Sequence, residues 1–242
     1  MEIFKRNNKS LKPVNPIPFK LEKDIQEIVE ENTKTLFNLQ FIASEVSVGN
    51  YRVDSLCFDV ESNSFVIIEY KKGSSYSVID QGYTYLQLLL NNKAEFLLIY
   101  SDFINKVTKP KDIDWSQSKI MFISQSFNSF QKDSVNFKGL PFELWEIAKY
   151  ENNVYSLNQH QTSSTEKISS ITSNENEKIR SVSKEIIQYE ESHHTKKYKN
   201  DLIENWNTFK SIMLLEDNVN MKISKSYISF TKPGISRAQI LT

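Results

Sequence analysis

An apolar run that carries a single acidic residue constrains the fold of this chain more than any other segment. Residues 64–70 read Ser-Phe-Val-Ile-Ile-Glu-Tyr, and this β-branched and aromatic composition is typical of a strand buried on both faces. An ionised carboxylate in such a strand costs free energy unless it is paired or binds a metal. Since side chains alternate along a strand, we expect Glu69 and Lys71 to share one face and Tyr70 to take the other.

The preceding strand-like run, residues 51–60, contributes a second acidic residue, Asp54. A short turn around residues 61–64 joins the two runs, so antiparallel pairing would bring Asp54 alongside Glu69. Two carboxylates on adjacent strands suit Mg²⁺, which takes oxygen ligands and keeps several waters. A magnesium ion there would acidify a bound water and stabilise charge on a phosphate, so the pattern indicates phosphodiester hydrolysis.

Lys71 has two candidate roles in such a site. Its ammonium can stabilise the phosphate as a point charge, or it can lose its proton among other cations and act as the base. The sequence favours neither role. The alternative for Asp54, Glu69 and Lys71 together is a buried ion-pair cluster without catalysis.

Residues on the predicted helix 77–92 are candidates for a supporting role. Gln81 and Tyr85 are four residues apart, so they share a helix face and could orient Lys71 or a phosphate. The alternative is that Tyr85 belongs to the core and Gln81 to a solvated face. Glu22 opens the first predicted helix, where an acidic side chain is also favourable simply because of the helix dipole.

Arg52 shares a strand face with Asp54 and is a candidate for binding a phosphate of the nucleic acid. The alternative is a structural salt bridge from Arg52 to Glu45 or to Asp54. The chain has a formal net charge of zero, so any basic surface must be local. One candidate is the N-terminal segment, which contains five basic residues and one acidic residue, Glu2. The alternative is that this segment is a solvated tail. The basic residues are Lys5, Arg6, Lys9, Lys12 and Lys20.

The few cysteine and histidine residues exclude other site types. The only cysteine, Cys57, excludes a disulfide framework and a cysteine-based zinc site, and we predict it to be a small core residue. His160, His193 and His194 lack the spacing of helical zinc ligands. No segment approaches the roughly 18–20 apolar residues that span a membrane, and no secretory signal core is evident, so we expect a cytoplasmic protein.

Hydrophobic periodicity predicts an α/β core followed by a smaller region. The predicted elements are a helix at 21–37, strands at 41–48, 51–60 and 64–70, a helix at 77–92, strands at 94–100 and 119–123, and a strand pair within 141–158. Further elements are helices at 181–190 and 198–215 and strands at 221–224 and 227–230. The last dozen residues show no obvious closing element. The predicted domains are a tail (1–18) whose three prolines argue against regular structure, a core domain (19–158), a polar linker (159–180) and a small α+β domain (181–242).

Five segments in this order resemble the PD-(D/E)XK nuclease superfamily, and within it the NucS-like and restriction-endonuclease-like branch. They are Leu21–Asn32, Glu45, Gly49–Asp54, Val66–Lys71 and Gln81–Tyr85. One departure is that Val53, not proline, precedes Asp54. Residues 185–231 also resemble a small domain of unknown function that follows such nuclease cores.

The resemblance implies a restriction-endonuclease-like α/β core with a mixed sheet. It implies that Asp54 and Glu69 bind Mg²⁺, with Mn²⁺ as a substitute, and that Lys71 serves the attacking water. It also implies a contribution from Glu22 and an accessory pair, Gln81 and Tyr85. The expected activity is a Mg²⁺-dependent DNA endonuclease.

Two other functions stay open at this stage. The chain could be a catalytically silent module of a defence or repair system that binds nucleic acid or protein. The C-terminal domain could instead be an assembly element. The expected partner is nucleic acid, with DNA favoured and no membrane, and a second copy of the chain is a further candidate partner.

Overall fold

A computed structural model of the chain describes residues 2–72, 77–137, 139–161, 164, 177–216, 219–232 and 235–241. Its helices and strands are, in chain order, β1 (Phe4–Asn7), β2 (Ser10–Pro13), β3 (Pro16–Ile17), α1 (Glu22–Phe37), β4 (Gln40–Val48), β5 (Tyr51–Asp59), β6 (Ser64–Lys71), α2 (Val78–Asn91), α3 (Lys93–Ile104), β7 (Lys119–Ser124), α4 (Ser129–Ser134), β8 (Phe142–Tyr150), β9 (Val154–Gln159), α5 (Glu177–Glu185), α6 (Glu191–Thr195), α7 (Asn200–Leu215), β10 (Asn220–Ile223), β11 (Tyr227–Lys232) and β12 (Ile235–Leu241). Each helix within this part of the chain is too short or too polar to cross a membrane.

A mixed sheet forms the centre of the fold, as the sequence predicts, and within the described residues it has seven strands. Its strand order is β3-β8-β7-β6-β5-β4, and β9 also pairs with β8. The strands β4, β5 and β6 form an antiparallel meander, whereas β6, β7 and β8 run parallel. A parallel connection needs a crossover, and α2 and α3 supply it between β6 and β7.

Helices cover both faces of β6, which explains why all eight of its residues are buried. The alternate residues Val66, Ile68 and Tyr70 pack in one hydrophobic cluster with Ile25 and Val29 of α1. On the opposite face, Phe65 and Ile67 pack in a second cluster with residues of α2 and α3. By the same alternation Glu69 and Lys71 point to the α2 side, so the predicted face assignment is confirmed.

Residues 94–100 form part of a helix, α3, and the predicted strand there is wrong. Phe96, Leu97 and Tyr100 are buried, while Leu98 is 64% exposed. This spacing is that of one helix face, whereas in a strand Phe96 and Leu98 would share a face. A short, continuously apolar run shows no clear period, so its sequence alone does not separate a buried strand from a helix.

The N-terminal segment is also more regular than its prolines suggest. Strands β1 and β2 form an antiparallel hairpin, and β3 pairs with the end of β8. Pro13 ends β2 and Pro16 begins β3, which are strand positions where the missing N–H of proline is tolerated.

In the described part of the C-terminal region the helices are α5, α6 and α7, and β10, β11 and β12 form an antiparallel sheet. The strand β12 lies within the last dozen residues, where no closing element was predicted, and it pairs with β11. The helix predicted at 181–190 instead spans Glu177–Glu185 and buries Val182 against the core. Most of the predicted linker, residues 162–163 and 165–176, lies outside the described residues.

Candidate metal centre and active site

Two neighbouring strands bring Asp54 and Glu69 together, as antiparallel pairing predicts. The last registered pair between β5 and β6 is Ser55 with Ile68, so Asp54 and Glu69 occupy the next position along the two strands. The backbone N–H of Tyr70 donates to Oδ2 of Asp54 (3.0 Å), which fixes this carboxylate at the end of β6.

The two carboxylate oxygens of Glu69 have different surroundings. Oε1 accepts from Nζ of Lys71 (2.9 Å), from Nε2 of Gln81 (2.7 Å) and from the hydroxyl of Tyr85 (3.3 Å). Oε2 is buried and has no hydrogen-bond partner among the described residues. A buried carboxylate oxygen without a partner costs free energy, so it indicates a ligand that the protein chain does not supply.

Burial and like charge both oppose ionisation in this site. Burial, followed by the negative charge of Asp54, raises the pKa of Glu69 to about 7, although Lys71 acts in the opposite direction. Burial also raises the pKa of Asp54, and the charges of Glu45 and Glu22 add to this against the Tyr70 N–H and Lys71. Two carboxylates that resist ionisation side by side form a site that a cation would stabilise.

The donor set fits a hard divalent cation with an incomplete protein shell. Asp54 and Glu69 provide carboxylate oxygens, and Oε2 of Glu69 is the atom that lacks a partner. In the part of the chain that the structure describes, no group of three or more His, Cys, Asp or Glu side chains could hold a metal. Mg²⁺ usually binds through one or two carboxylates and keeps several waters, so two carboxylates are enough.

The pair Gln81 and Tyr85 on α2 contacts Glu69, a partner that the helix spacing did not specify. Nε2 of Gln81 contacts both Glu69 and the hydroxyl of Tyr85 (3.2 Å), and this hydroxyl also lies 3.3 Å from the backbone oxygen of Arg52. Tyr85 is therefore a core residue with a polar end, and Gln81 does not lie on a purely solvated face. Gly82 lets α2 approach this closely, since a Cβ there would lie 2.7 Å from the ring of Phe142.

An open cleft of about 490 Å³ borders the site, and the three side chains that contact Glu69 are among the residues that line it. Glu22, Lys71, Gln81 and Tyr85 line it, together with Tyr51, Ser77, Asp80 and Thr84. Glu22 is the first residue of α1, and its Oε1 accepts from the backbone N–H of Lys72 (2.6 Å). Glu22 therefore joins the start of α1 to the residue that follows β6, in addition to its favourable place in the helix dipole.

Arg52 forms the salt bridge to Glu45 that the sequence offered as an alternative. Its Nε lies 2.7 Å from Oε2 of Glu45, and the two side chains are 66% and 43% exposed. Such an exposed pair contributes little stability, so it leaves a phosphate role for Arg52 open to test.

A polar network behind Asp54 was not predicted. Nε2 of Gln26 lies within hydrogen-bond distance of Glu30, Glu45 and the backbone oxygen of Asp54. Glu45 adopts a left-handed conformation with φ of 54° inside β4, which is uncommon for a residue with a long side chain. The available sequence signal was Gln26 and Glu30, two polar residues four apart on the apolar side of α1.

The cysteine and histidine residues lie outside this centre. Burial raises the pKa of Cys57 to about 12, so its thiol is an unreactive core group, as predicted. His193 and His194 instead face the backbone oxygens of Lys225 and Ser224.

Comparisons with known structures give only weak likenesses. The chain is 15% identical to a protein described as the EndoMS–dsDNA2 complex, over 59% of this chain and 49% of that chain, with a TM-score of 0.32. It is also 15% identical to a repair endonuclease from Pyrococcus abyssi, over 52% of this chain and 47% of that chain, with a TM-score of 0.29. It is 12% identical to Pyrococcus furiosus SfsA in complex with Ca²⁺, over 61% of this chain and 75% of that chain, with a TM-score of 0.30. The chain spans about half the length of the first two of these structures. At such scores the likenesses carry no argument about activity.

The sequence comparisons are more definite. No protein-family model matches the chain. An uncharacterized protein of Haemophilus influenzae is 41% identical over 233 residues, which cover 96% of this chain and 77% of that protein. The chain therefore belongs to the same protein family as this Haemophilus influenzae protein.

Proposed function

We propose that this protein is a Mg²⁺-dependent nuclease of the PD-(D/E)XK type that hydrolyses phosphodiester bonds in DNA. The observation that carries the proposal is the state of Glu69. Three side chains hold one of its carboxylate oxygens, while the other is buried without a partner, and Asp54 occupies the adjacent position on the neighbouring strand. An ion pair that served stability alone would gain most by satisfying both oxygens.

In this proposal Asp54 and Glu69 hold the metal from two adjacent strands. When bound, Mg²⁺ supplies positive charge beside the scissile phosphate and acidifies a water. The N–H of Tyr70 orients the carboxylate of Asp54, and Gln81 and Tyr85 orient that of Glu69. Such orienting contacts keep the ligand oxygens in place when substrate binds.

Lys71 lies on the same strand face as Glu69 and lines the cleft. Its ammonium is positioned either to stabilise the charge that develops on the phosphate or, after losing its proton, to accept one from the attacking water. Glu22 and Arg52 lie nearer the solvent, where they would position Lys72 and the nucleic-acid backbone, respectively.

The choice of DNA comes from the motif resemblance, so the test includes RNA. Plasmid, linear, branched and single-stranded DNA and a single-stranded RNA are incubated with Mg²⁺ or Mn²⁺. We expect wild type to cleave at least one DNA, and Asp54→Asn and Lys71→Gln to lose about 100-fold or more in rate, as when a group that acts on the transition state is removed. Asp102→Asn and Lys106→Gln, which change exposed residues on and just after α3, are the matched controls.

The possible results separate the candidate functions. Equal cleavage by wild type, Asp54→Asn and Lys71→Gln would contradict the proposal. Binding that survives EDTA, with no cleavage of any substrate, would instead support a catalytically silent binding module. Cleavage of RNA but not of DNA would support phosphodiester hydrolysis and contradict DNA as the substrate.

A further inference from the structure

The N-terminal hairpin, residues Phe4–Pro13, concentrates positive charge on a chain whose net charge is zero. It contains four basic residues and no acidic residue, and every one of its residues is exposed. The basic residues are Lys5, Arg6, Lys9 and Lys12.

The pairing of the hairpin works against its own stability. Lys5 and Lys12 lie directly opposite each other in the β1–β2 register, and like charges at such positions are destabilising. Within the described residues no carboxylate pairs with the ammonium of Lys5, Lys9 or Lys12. A two-stranded hairpin is only marginally stable alone, so this charge arrangement indicates a polyanionic partner.

The sheet register places the hairpin at the same end of the molecule as the candidate metal centre. Lys71, Ser124 and Glu146 align across β6, β7 and β8. The strand β8 continues four residues further to Tyr150, about 13 Å at the usual rise, and β3 pairs with this extension. Since β9 occupies the other edge of the extension, β3 must lie on the β7 side, beyond the end of that strand.

The chain on either side of β3 joins the hairpin to the centre. The N–H of Val14 donates to the backbone oxygen of Ile3 at the base of the hairpin (2.8 Å). After β3, the N–H of Phe19 donates to Oε1 of Gln125, just beyond β7 (2.9 Å). Three residues later the chain reaches Glu22 on the wall of the cleft.

We propose that the N-terminal hairpin binds the phosphate backbone of duplex DNA next to the catalytic cleft. The proposal rests on the proposed function, because it names a contact with that substrate. Lysine is a compact point charge, so these contacts would position the duplex without reading its sequence. In this proposal the hairpin reaches the phosphates as a ribbon that lies in the major groove, which B-DNA admits and the deep, narrow major groove of A-form RNA does not. The hairpin therefore favours DNA over double-stranded RNA.

The test measures binding without cleavage, using the full chain in EDTA. Fluorescence anisotropy follows a labelled DNA duplex and an RNA duplex of the same sequence across a range of salt concentrations. The variant is Lys5→Gln with Lys12→Gln. The matched control is Lys109→Gln with Lys111→Gln, two exposed lysines next to Asp112, whose backbone oxygen contacts Asn63 at the opposite end of β6.

We expect the hairpin variant to bind duplex DNA about ten-fold or more weakly at about 100 mM salt. The slope of log K against log salt should become less negative by about 1.8, which corresponds to two lost phosphate contacts. The control should match wild type, and replacing both lysines with arginine should retain binding. All substitutions are at exposed positions, and circular dichroism confirms that the variants fold.

Unchanged affinity and slope in the hairpin variant would overturn the inference, and so would an equal loss in the control. Equal affinity of wild type for the RNA duplex would overturn the preference for DNA.

Other results distinguish a failure of the proposed function from a failure of the hairpin contact. If wild type binds DNA through the hairpin but cleaves nothing with Mg²⁺ or Mn²⁺, the hairpin contact stands and the nuclease does not. If cleavage is intact and the hairpin variant is unchanged, only the hairpin contact fails.

Discussion

At the scale of single residues, Glu69 is the point on which the account of the site depends. Its buried carboxylate has a pKa raised to about 7 by burial and by the charge of Asp54, and only one of its oxygens is satisfied. The contacts from Lys71, Gln81 and Tyr85 all reach the same oxygen, and the other oxygen is left without a partner among the described residues. The arrangement resembles a metal ligand with its orienting partners more than a simple ion pair.

The hydroxyl of Tyr85 provides a direct test of this orienting role. Tyr85→Phe removes one of three donors to Glu69 and keeps the ring packed in the core. Loss of such an orienting contact costs roughly 10–100-fold in metal affinity, so we expect Mn²⁺ to bind about ten-fold more weakly by titration calorimetry. Tyr155→Phe, at a half-exposed position on β9, is the control. Equal Mn²⁺ affinity in Tyr85→Phe and wild type would show that the hydroxyl has no orienting role.

The sequence predicted the residues that form the candidate site, but it did not predict the polar network that packs against Asp54. Asp54, Glu69 and Lys71 stand out because charge is costly inside apolar strands, and Gln81 with Tyr85 follows from helix spacing. The structure brings all five together. The support from Gln26, Glu30 and Glu45 depends on how α1 packs against β4 and β5, and on a left-handed residue that no local pattern indicates.

At the scale of elements, the strands around the site were predictable because their sequences leave little choice. The run 64–70 is apolar, β-branched and short, and a turn precedes it, so β6 follows. The run 94–100 is equally apolar, but it continues directly from α2, and the packing of Phe96 and Tyr100 against the sheet selects a helix. Tertiary contacts therefore decide this element, not local preference.

Two alanine substitutions distinguish a helix from a strand at this position. In the helix, Phe96 is fully buried and Leu98 is 64% exposed, whereas in a strand both side chains would share a face. We expect Phe96→Ala to lower the free energy of unfolding by about 3–5 kcal/mol, as for a buried phenylalanine. Leu98→Ala should change it by less than about 0.5 kcal/mol, as at other surface sites. Similar losses in urea denaturation would contradict the helix.

The strands β3 and β12, near the two ends of the described chain, are hard to predict from local sequence. The strand β3 pairs with a strand that is distant in sequence, and β12 has a weak hydrophobic pattern. The strand β3 has only two residues and exists through its pairing with β8. The strand β12 pairs with β11 across a register shift, and its sequence lacks the alternation that marks an exposed strand. The local sequence therefore predicts neither the pairing of β3 with β8 nor the pairing of β12 with β11.

At the scale of the whole molecule, the sheet β10-β11-β12 contacts the core at the start of β6, away from the candidate metal centre. Lys222 of β10 forms a salt bridge with Asp59, and the hydroxyl of Tyr227 donates to the backbone oxygen of Glu61. Asp59 pairs with Ser64 at the start of β6, whereas Glu69 and Lys71 lie at its end. These contacts leave the cleft beside Lys71 open. A homodimer of the chain is a further prediction, and the mass of the full chain in solution would test it.

The salt bridge between Lys222 and Asp59 should make the docking of this region sensitive to pH. Burial alone would raise the pKa of Asp59, but the charges of Lys222 and Lys119 outweigh it and lower the pKa below the ordinary value of 3.8. A carboxyl group with a lowered pKa stabilises the fold fully above its unfolded pKa. This contribution is lost as the pH falls through the folded pKa.

Lys222→Met tests this coupling. We expect it to lower the free energy of unfolding at pH 7 by about 2–3 kcal/mol, less than the roughly 3–5 kcal/mol of a fully buried pair, because Lys119 still faces Asp59. The difference from wild type should shrink as the pH falls below the ordinary value of 3.8. Lys225→Met, at an exposed position between β10 and β11, is the control. A difference that stays constant with pH would contradict the ion-pair explanation.

The central claim is that Asp54 and Glu69 together hold a divalent metal ion. Crystals soaked in Mn²⁺ test it most directly, because anomalous scattering locates manganese independently of activity. We predict an anomalous peak within bonding distance of Oε2 of Glu69 and of the Asp54 carboxylate, about 2.0–2.2 Å as for a small divalent ion with oxygen ligands. The peak should be absent from Glu69→Gln crystals soaked in the same way. A wild-type map without a peak between these two carboxylates would contradict the account.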